Sequence, residues 1–254
     1  MDQSPVLETT VPVVEIASFI NREGDYLENC KKVVKAFEET GCLIIRDPRV
    51  NQADNDEVLN MMEKFFDSRG KKFYNKEQID DIFPQYQYQV GATPEFVEKA
   101  RNHCGLVEKM TGDDKPMTEC PPPLDAKWRY FWQIGERPQY ESLLHPPQHT
   151  PADFPEWADV MNKWGNLLLD CCVTVAKMLA LGLEFEEDTF TEKMKLAAHL
   201  LAPTGSDLAK YDKGTIFAGF HYGNVLYLLL LIHFRLKLPY YPWKIKIPRI
   251  ICLA

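Results

Sequence analysis

A short stretch, residues 215–224, holds the most reactive pattern in the sequence, because His221 is followed two positions later by Gly223. Residues 215–220 are rich in β-branched and aromatic side chains and follow a polar turn, so we predict a strand there. Residues two apart on a strand share a face, so side chains at positions 221 and 223 would lie side by side. Glycine, however, brings no ligand atom to that face.

A His-x-Asp pair on such a strand would place an imidazole beside a carboxylate. With a second, distant histidine it would form the facial triad that holds Fe(II) and leaves coordination positions open. Only His221 matches this pattern. We therefore predict His221 as a metal ligand in an incomplete site, and we assign no catalytic or cofactor-binding residue.

The other histidines and cysteines that could react are predicted to have structural roles. His145 and His149 have the spacing of helical metal ligands, but the two prolines between them predict a surface loop instead. His199 is predicted as a core or strand-pairing histidine. Cys171 and Cys172 lie within a predicted helix without a neighbouring base, which predicts inert thiols.

Composition excludes several functional classes. The 254-residue chain carries a formal charge of -8 at pH 7, which disfavours a nucleic-acid surface. Its seven cysteines are scattered without a C-x-x-C, which favours reduced thiols in a cytoplasmic protein over a disulfide framework. No signal peptide is visible. The apolar run at residues 225–232 is too short to cross a bilayer, so no transmembrane segment is predicted.

Hydrophobic periodicity predicts the helices and strands on which these residues lie. Apolar residues at three- and four-residue spacing predict helices, and alternating or continuous short apolar runs predict strands. The predicted strands are residues 11–16, 42–46, 86–90, 128–134, 195–202 and 215–220, and the predicted helices are residues 27–37, 54–66, 94–103, 155–181 and 188–194.

Five features of the sequence carry a resemblance to a known family. They are a Val-Pro-Val-Val-Glu-Ile strand, a helix that ends in Glu-Glu-Thr-Gly, a Cys-Leu-Ile-Ile-Arg strand, the long helix, and a strand-turn-strand that leads to Gly-Phe-His. Together they resemble the Fe(II)/2-oxoglutarate-dependent dioxygenases of the isopenicillin-N-synthase-like group. The resemblance covers residues 11–222. It implies an α+β fold, namely an incomplete double-stranded β-helix (jelly roll) with a helical N-terminal region packed on it. It also implies Fe(II) and 2-oxoglutarate as cofactors.

Carried over residue by residue, the resemblance makes His221 the first iron ligand. Gly223 stands where the family has its aspartate. The second histidine and the Arg-x-Ser that holds 2-oxoglutarate would fall past Ala254. The Leu201-Ala202-Pro203 sequence replaces a Tyr-Tyr-Pro that is common in the family, which we interpret as a subfamily trait.

The resemblance also predicts three regions. Residues 1–125 would form the dioxygenase N-terminal region, residues 126–223 the long helix and the first jelly-roll strands, and residues 224–254 an atypical basic, apolar tail. All 37 acidic residues precede this tail. We therefore interpret the chain as truncated within the His-x-Asp motif, and the tail as translated non-coding sequence.

The sequence thus predicts a non-haem iron oxygenase whose intact relatives oxidise a small organic substrate and which is itself inactive. The alternative is a non-catalytic binding or regulatory protein that pairs with a full-length homologue. Exposed strands and the tail predict self-association. A hydrolase is disfavoured, because Ser206 lies outside any G-x-S-x-G motif.

Overall fold

The computed structural model of the chain describes residues 11–112, 115–116, 118–137, 146–220, 229–230 and 252–253. The chain separates into two units. The first draws on Met1–Gln52, Leu167–Lys195 and Val225–Ala254, and the second on Ala53–Asn166 and Leu196–Asn224, as far as these ranges are described.

The first unit is a small sheet with helices. Its elements are β1 (Val13–Glu15), α1 (Ala17–Asn21), α2 (Tyr26–Thr40), β2 (Leu43–Arg46), the second half of α5 (Trp157–Gly182), β7 (Leu229–Leu230) and β8 (Cys252–Leu253). Strands β1 and β2 are parallel, with Val13 opposite Ile44, and the strand order is β1-β2-β8-β7. Leu43 and Ile45, on one face of β2, are completely buried.

Helix α2 shows why this part of the sequence folds as predicted. The Asp25 carboxylate accepts a hydrogen bond from the Glu28 amide at 3.3 Å, which caps the first turn. Gly41, at φ 69°, provides the left-handed residue that ends the helix. The buried face consists of Cys30, Val33 and Ala36. The predicted strands at residues 11–16 and 42–46 and the predicted helix at residues 27–37 are confirmed.

The second unit combines helices with an antiparallel sheet. Its elements are most of α3 (Gln52–Tyr74), β3 (Gly91–Thr93), α4 (Cys104–Val107), β4 (Trp128–Gln133), the first half of α5, β5 (Leu200–Leu201) and β6 (Thr204–Gly205). Strand β4 pairs with β3 and, at different positions, with β5 and β6. It is therefore the central strand of this sheet.

One face of β4 forms the core of the second unit. Trp128, Tyr130 and Trp132 alternate along the strand and are at most 5% exposed. The Tyr130 ring lies 5.2 Å from the Phe65 ring of α3 and 4.6 Å from the Trp157 ring of α5, measured between centroids. Large buried aromatic pairs of this kind stabilise by area and by ring geometry. The predicted strand at residues 128–134 and the predicted long helix at residues 155–181 are confirmed.

Several predicted elements are wrong. The predicted strand at residues 86–90 begins in a 3-10 helix, Pro84–Tyr86, and continues through Gln87 and Tyr88 at positive φ, so the strand starts only at Gly91. The predicted helix at residues 94–103 is absent. Phe96 has φ 63° and its amide donates to the Asp125 carbonyl at 2.8 Å, a long-range bond that helical geometry would not allow.

Three further predictions change in extent or type. The helix expected at residues 54–66 is longer, as α3, whereas the strand expected at residues 195–202 is limited to Leu200–Leu201. The short helix expected near residues 188–194 is a 3-10 turn, Thr191–Lys193. Residues 215–220 form bends after a turn and not the predicted strand. The polar turn that starts this segment is closed by a bond from the Thr215 amide to the Asp212 carbonyl.

Among the described residues, α5 is the one helix whose length and composition would suit a membrane span. Buried core helices of soluble proteins have the same character, and 44% of its apolar window is buried. The absence of a transmembrane segment therefore stays a prediction.

Candidate functional site

The predicted metal ligand His221, and Gly223 beside it, lie outside the described residues. The structure describes Gly219 and Phe220, the two residues that lead into His221. The described part of the candidate site consists of these two residues and the groups that hold them.

Gly219 is held by a carboxylate on the segment that enters β4. Its amide donates a hydrogen bond of 3.0 Å to Asp125 Oδ1, in buried surroundings. A Cβ atom at position 219 would lie 2.7 Å from the Cβ of Ala100 and 3.6 Å from that of Pro122. Only glycine allows so close an approach. The neighbouring Phe220 ring meets the His103 ring edge-on at 6.1 Å between centroids.

Asp125 belongs to a group of four charged side chains, Glu98, Asp125, Lys127 and Arg129, which we call the β4 charge cluster. Lys127 donates to Asp125 Oδ2, and Arg129 donates to Glu98 Oε1. Two acids and two bases balance each other, as buried charges require. Burial lowers the pKa of Arg129, although Glu98 and Asp125 act in the opposite direction.

Two atoms of the β4 charge cluster are incompletely satisfied within the described residues. Arg129 Nε and Glu98 Oε2 are buried without a hydrogen bond. Lys127 Nζ lies 3.0 Å from Glu98 Oε2, so that oxygen has an ion-pair partner whose angle does not suit a hydrogen bond. The Arg129 guanidinium also stacks 3.6 Å from the centre of the Phe131 ring. The cluster therefore combines ion pairing with a cation–π contact.

A second anchor fixes the chain just before residues 215–220. The buried Glu95 carboxylate accepts hydrogen bonds from Lys210 Nζ, at 2.9 Å, and from the Tyr211 hydroxyl. Desolvation and the Glu95 hydrogen bond together raise the pKa of Tyr211. The approach to His221 is therefore tied down at two places, through Glu95 and through Asp125.

The sequence interpretation of His149 needs correction. His149 lies outside any helix, as predicted, but it is not a free surface residue: its Nε2 lies 2.7 Å from Asp81 Oδ1. Asp81 also accepts from Arg69 Nε at 2.6 Å, and Arg69 forms a bidentate pair with Asp153. Burial raises the pKa of Asp81, but the hydrogen bonds from His149 and Arg69 outweigh it and lower the pKa overall. His145 lies outside the described residues.

The remaining sequence-predicted residues take structural places. His199 belongs to the segment that leads into β5, and its amide bonds the Ala197 carbonyl. Burial raises the pKa of Cys172 to about 12 and raises that of Cys171 further, which agrees with inert thiols. No cluster of three His, Cys, Asp or Glu side chains that could hold a metal occurs in the part of the chain that the structure describes.

The prediction that the cysteines are reduced is wrong for one pair. A disulfide joins Cys104 and Cys120, whose Cα atoms are 5.6 Å apart. Cys30, Cys42 and Cys171 are free, as is Cys172. The pairing was not visible in the sequence because the two residues are 16 positions apart and form no recognised motif.

Sequence reasoning missed the groups that hold Gly219. The signal that could have found them is the alternation of Asp125, Lys127 and Arg129 at the entrance to an aromatic strand. Such charges share one face of a strand, opposite the buried tryptophans. Their partners Glu98 and Gly219 are distant in sequence, and no local pattern marks them.

No protein-family model matches the sequence, and a comparison with curated protein sequences finds no match. Solved structures do match. A full-length Neurospora crassa protein, crystallised in complex with alpha-KG, is 17% identical, with a TM-score of 0.57 over 86% of this chain and 63% of that one. A C-terminally truncated form of the Neurospora crassa protein, in its apo state, is 16% identical, with a TM-score of 0.53 over 80% of this chain and 65% of that one.

A third structure comes from Caulobacter crescentus and is assigned to the 2OG-Fe(II) oxygenase family. It is 18% identical, with a TM-score of 0.54 over 77% of this chain and 55% of that one. The chain thus spans less than two thirds of the length of each of these three structures. At these identities the comparison establishes a shared fold.

Proposed function

Because the chain has the fold of the 2OG-Fe(II) oxygenases, we propose that it is a member of the Fe(II)/2-oxoglutarate-dependent oxygenase family. The observation that carries the proposal is the match to the full-length Neurospora crassa protein over 86% of the chain. The Gly-Phe-His sequence that ends at His221 supports it independently. We further propose the incomplete jelly roll, the helical N-terminal region and the three regions at residues 1–125, 126–223 and 224–254.

The proposed cofactors are Fe(II) and 2-oxoglutarate, and the proposed substrate is a small organic molecule. The Neurospora crassa protein was crystallised with alpha-KG, which supports the choice of cosubstrate. Iron would supply oxygen activation when bound. The donor set of this chain fits iron poorly, however. Gly223 offers no ligand atom, and the described residues contain no cluster of three metal-binding side chains.

We propose in consequence that this chain does not turn over 2-oxoglutarate. His221 would bind a divalent ion weakly, as a lone imidazole does, without a carboxylate to complete the site. We also propose a cytoplasmic location, as the scattered cysteines predicted, although the Cys104–Cys120 disulfide is of a kind that persists mainly in oxidising compartments.

The test uses the purified chain under anaerobic conditions. Isothermal titration with Co(II), a stable stand-in for Fe(II), should show weak binding that His221→Ala abolishes and His145→Ala leaves unchanged. Succinate formation from 2-oxoglutarate with Fe(II) and oxygen should stay at the background level. Iron-dependent succinate release by the wild-type chain would overturn the proposed inactivity while supporting family membership.

A binding or regulatory role is the second candidate. Phe96, Leu106 and Leu124 of the second unit are 45%, 46% and 44% exposed, and a partner that covered these apolar side chains would remove them from water. The same side chains support the proposed self-association. Co-purification with a full-length homologue, lost when all three residues are changed to serine, would favour this role. A monomer that captures no homologue would reject it.

A further inference from the structure

The Lys210 side chain ends between two aromatic rings and a carboxylate. Its Nζ lies 3.5 Å from the centre of the Tyr74 ring and 5.2 Å from the centre of the Tyr211 ring. The same atom donates a hydrogen bond of 2.9 Å to Glu95 Oε1. Aromatic faces and carboxylates both attract ammonium ions. We call the set of Tyr74, Glu95 and Tyr211 the ammonium cage.

The walls of the ammonium cage are held by contacts that do not involve the Lys210 side chain. The Tyr211 hydroxyl donates to Glu95 Oε2, which leaves Oε1 for the ammonium. The Tyr211 ring meets the Phe217 ring edge-on at 5.4 Å between centroids. Tyr74 is the last residue of α3, so the helix holds its backbone. We therefore expect the cage to keep its shape when Lys210 leaves it.

Glu95 is the reason that the cage requires a cation. Its side chain is 5% exposed, and a buried carboxylate is costly unless it is paired. Lys210 is the cation that pairs with it in this structure. Another ammonium ion at the same place would restore the ion pair and the contact with the Tyr74 ring.

The cage opens to solvent on the side of Lys210. The Lys210 side chain is 32% exposed, and Tyr74 is 50% exposed. Lys210 ends an exposed turn, which is closed by a hydrogen bond of 3.1 Å from its amide to the Asp207 carbonyl. Exposed turns open at a lower free-energy cost than buried segments do. A small molecule can therefore reach the cage when this turn moves.

From this geometry we propose that the ammonium cage is a binding site for a small primary alkylammonium ion, which Lys210 occupies when no ligand is bound. The ammonium of the ligand donates to Glu95 Oε1 and lies on the Tyr74 ring, in place of Lys210 Nζ. Binding releases Lys210 from Glu95, one of the anchors of the chain before residues 215–220. The site uses no metal and does not rest on the proposed function.

The experiment titrates the wild-type chain and Lys210→Ala with n-butylammonium chloride at constant ionic strength, and follows the Tyr211 amide by NMR. The sequence contains one Lys-Tyr pair, Lys210-Tyr211, so labelling lysine with carbonyl 13C and tyrosine with 15N identifies this amide. Alanine takes the place of lysine in the labelling of the variant. n-Butylammonium has the length of a lysine side chain.

The wild-type chain should show a saturable shift of this amide resonance. Lys210→Ala should bind n-butylammonium at least about tenfold more tightly, because the internal competitor has gone. 1-Butanol has the same chain without the charge and should bind to neither protein.

Two further variants test the walls of the cage, and a third is the matched control. Glu95→Gln should abolish binding, and Tyr74→Leu should weaken it about threefold. Lys163→Ala also removes an ammonium from a carboxylate, since Lys163 Nζ lies 2.5 Å from Asp54 Oδ1. Among the described residues no aromatic ring lies over that ammonium. Lys163→Ala should therefore keep the wild-type affinity for n-butylammonium.

The absence of a saturable shift in the wild-type chain would overturn the proposal, and so would equal affinity of the wild type and Lys210→Ala. Binding that persists in Glu95→Gln would also overturn it, because the ion would then lie elsewhere. If Lys210→Ala does not fold, Lys210→Ser replaces it in the same comparison. Neither metal binding nor succinate formation enters these measurements, so the ammonium cage and the proposed function are judged separately.

Discussion

At the scale of single residues, two positions distinguish this chain, one where a carboxylate is missing and one where a carboxylate is present. Position 223 lacks the carboxylate that a facial triad needs, whereas position 125 supplies one to a backbone amide. The first fact is readable from the sequence, because a spacing of two residues is local. The second is not, because it joins residues 94 positions apart. Local spacing is therefore the basis for the prediction that His221 is a metal ligand, and it could not reveal the contact between Asp125 and Gly219.

Restoring the missing carboxylate should strengthen metal binding. We expect Gly223→Asp to raise the affinity for Co(II) by roughly tenfold or more, since a second protein ligand adds to His221. Titration calorimetry measures the change. Gly70→Asp is the control, because it adds the same charge at an open position on α3. An equal gain in both variants would show that the effect is one of net charge.

The buried ion pair of Arg69 should matter more than exposed pairs on the same helix. The side chains of Arg69 and Asp81 are 4% and 5% exposed. Arg69→Met would leave Asp81 buried with only His149 as its partner. The expected loss is about 3–5 kcal/mol in the free energy of unfolding, measured by urea denaturation.

Lys71→Met provides the comparison, because Lys71 pairs with Asp67 one turn away at 71% and 62% exposure. Lys71→Met should lower the free energy of unfolding by less than about 1 kcal/mol. Similar values for the two variants would contradict the role given to the buried pair.

At the scale of elements, the sequence predicted those whose patterns are strong and local. The alternation of Trp128, Tyr130 and Trp132 marks β4, and the long apolar stripe marks α5. The helix predicted at residues 94–103 is absent for a physical reason. Phe96 and Lys99 pair with residues 124 and 125, and this tertiary pairing overrides the local helical preference.

The disulfide that closes residues 104–120 should contribute to stability through chain entropy. For a loop of this length, the expected loss on removing it is roughly 3 kcal/mol. We predict this decrease for Cys104→Ser with Cys120→Ser, measured by thermal or urea unfolding. The matched control is Cys172→Ser, which removes a thiol that is free. No difference between the oxidised wild type and the double variant would contradict the prediction.

At the scale of the whole molecule, a fold is shared with the Neurospora crassa protein at 17% identity. This is possible because buried faces and chain turns constrain the fold more than individual residues do. For the same reason, the amino-acid composition could only argue against some functional classes and could not identify the function. Net charge argued against nucleic acid, but no bulk property pointed to Asp125 or to the Cys104–Cys120 pair.

Acid should destabilise the molecule partly through Asp81. Its pKa is lowered in the folded protein, from an ordinary value of 3.8. A carboxyl with a lowered pKa stabilises fully above its unfolded value, and this contribution is lost as pH falls through the folded value. Asp81→Asn should therefore lower stability at pH 7 and flatten its further decrease below about pH 4.

Urea unfolding at several pH values measures this dependence. Asp67 lies on the exposed surface of α3, so Asp67→Asn should keep the wild-type dependence of the free energy of unfolding on pH. If the stability of Asp81→Asn fell in acid as steeply as that of the wild type, other carboxyls would dominate the loss of stability in acid.

The exposed position of Cys120 has a practical consequence for anyone who prepares this protein. Because this residue is exposed, we expect a phosphine or dithiol in the buffer to reduce the disulfide, so the purification buffer selects which covalent form is studied. Samples made with and without such agents would differ in electrophoretic mobility before reduction and in their susceptibility to proteases. Ligand titrations from two laboratories become comparable only when both state the form they used.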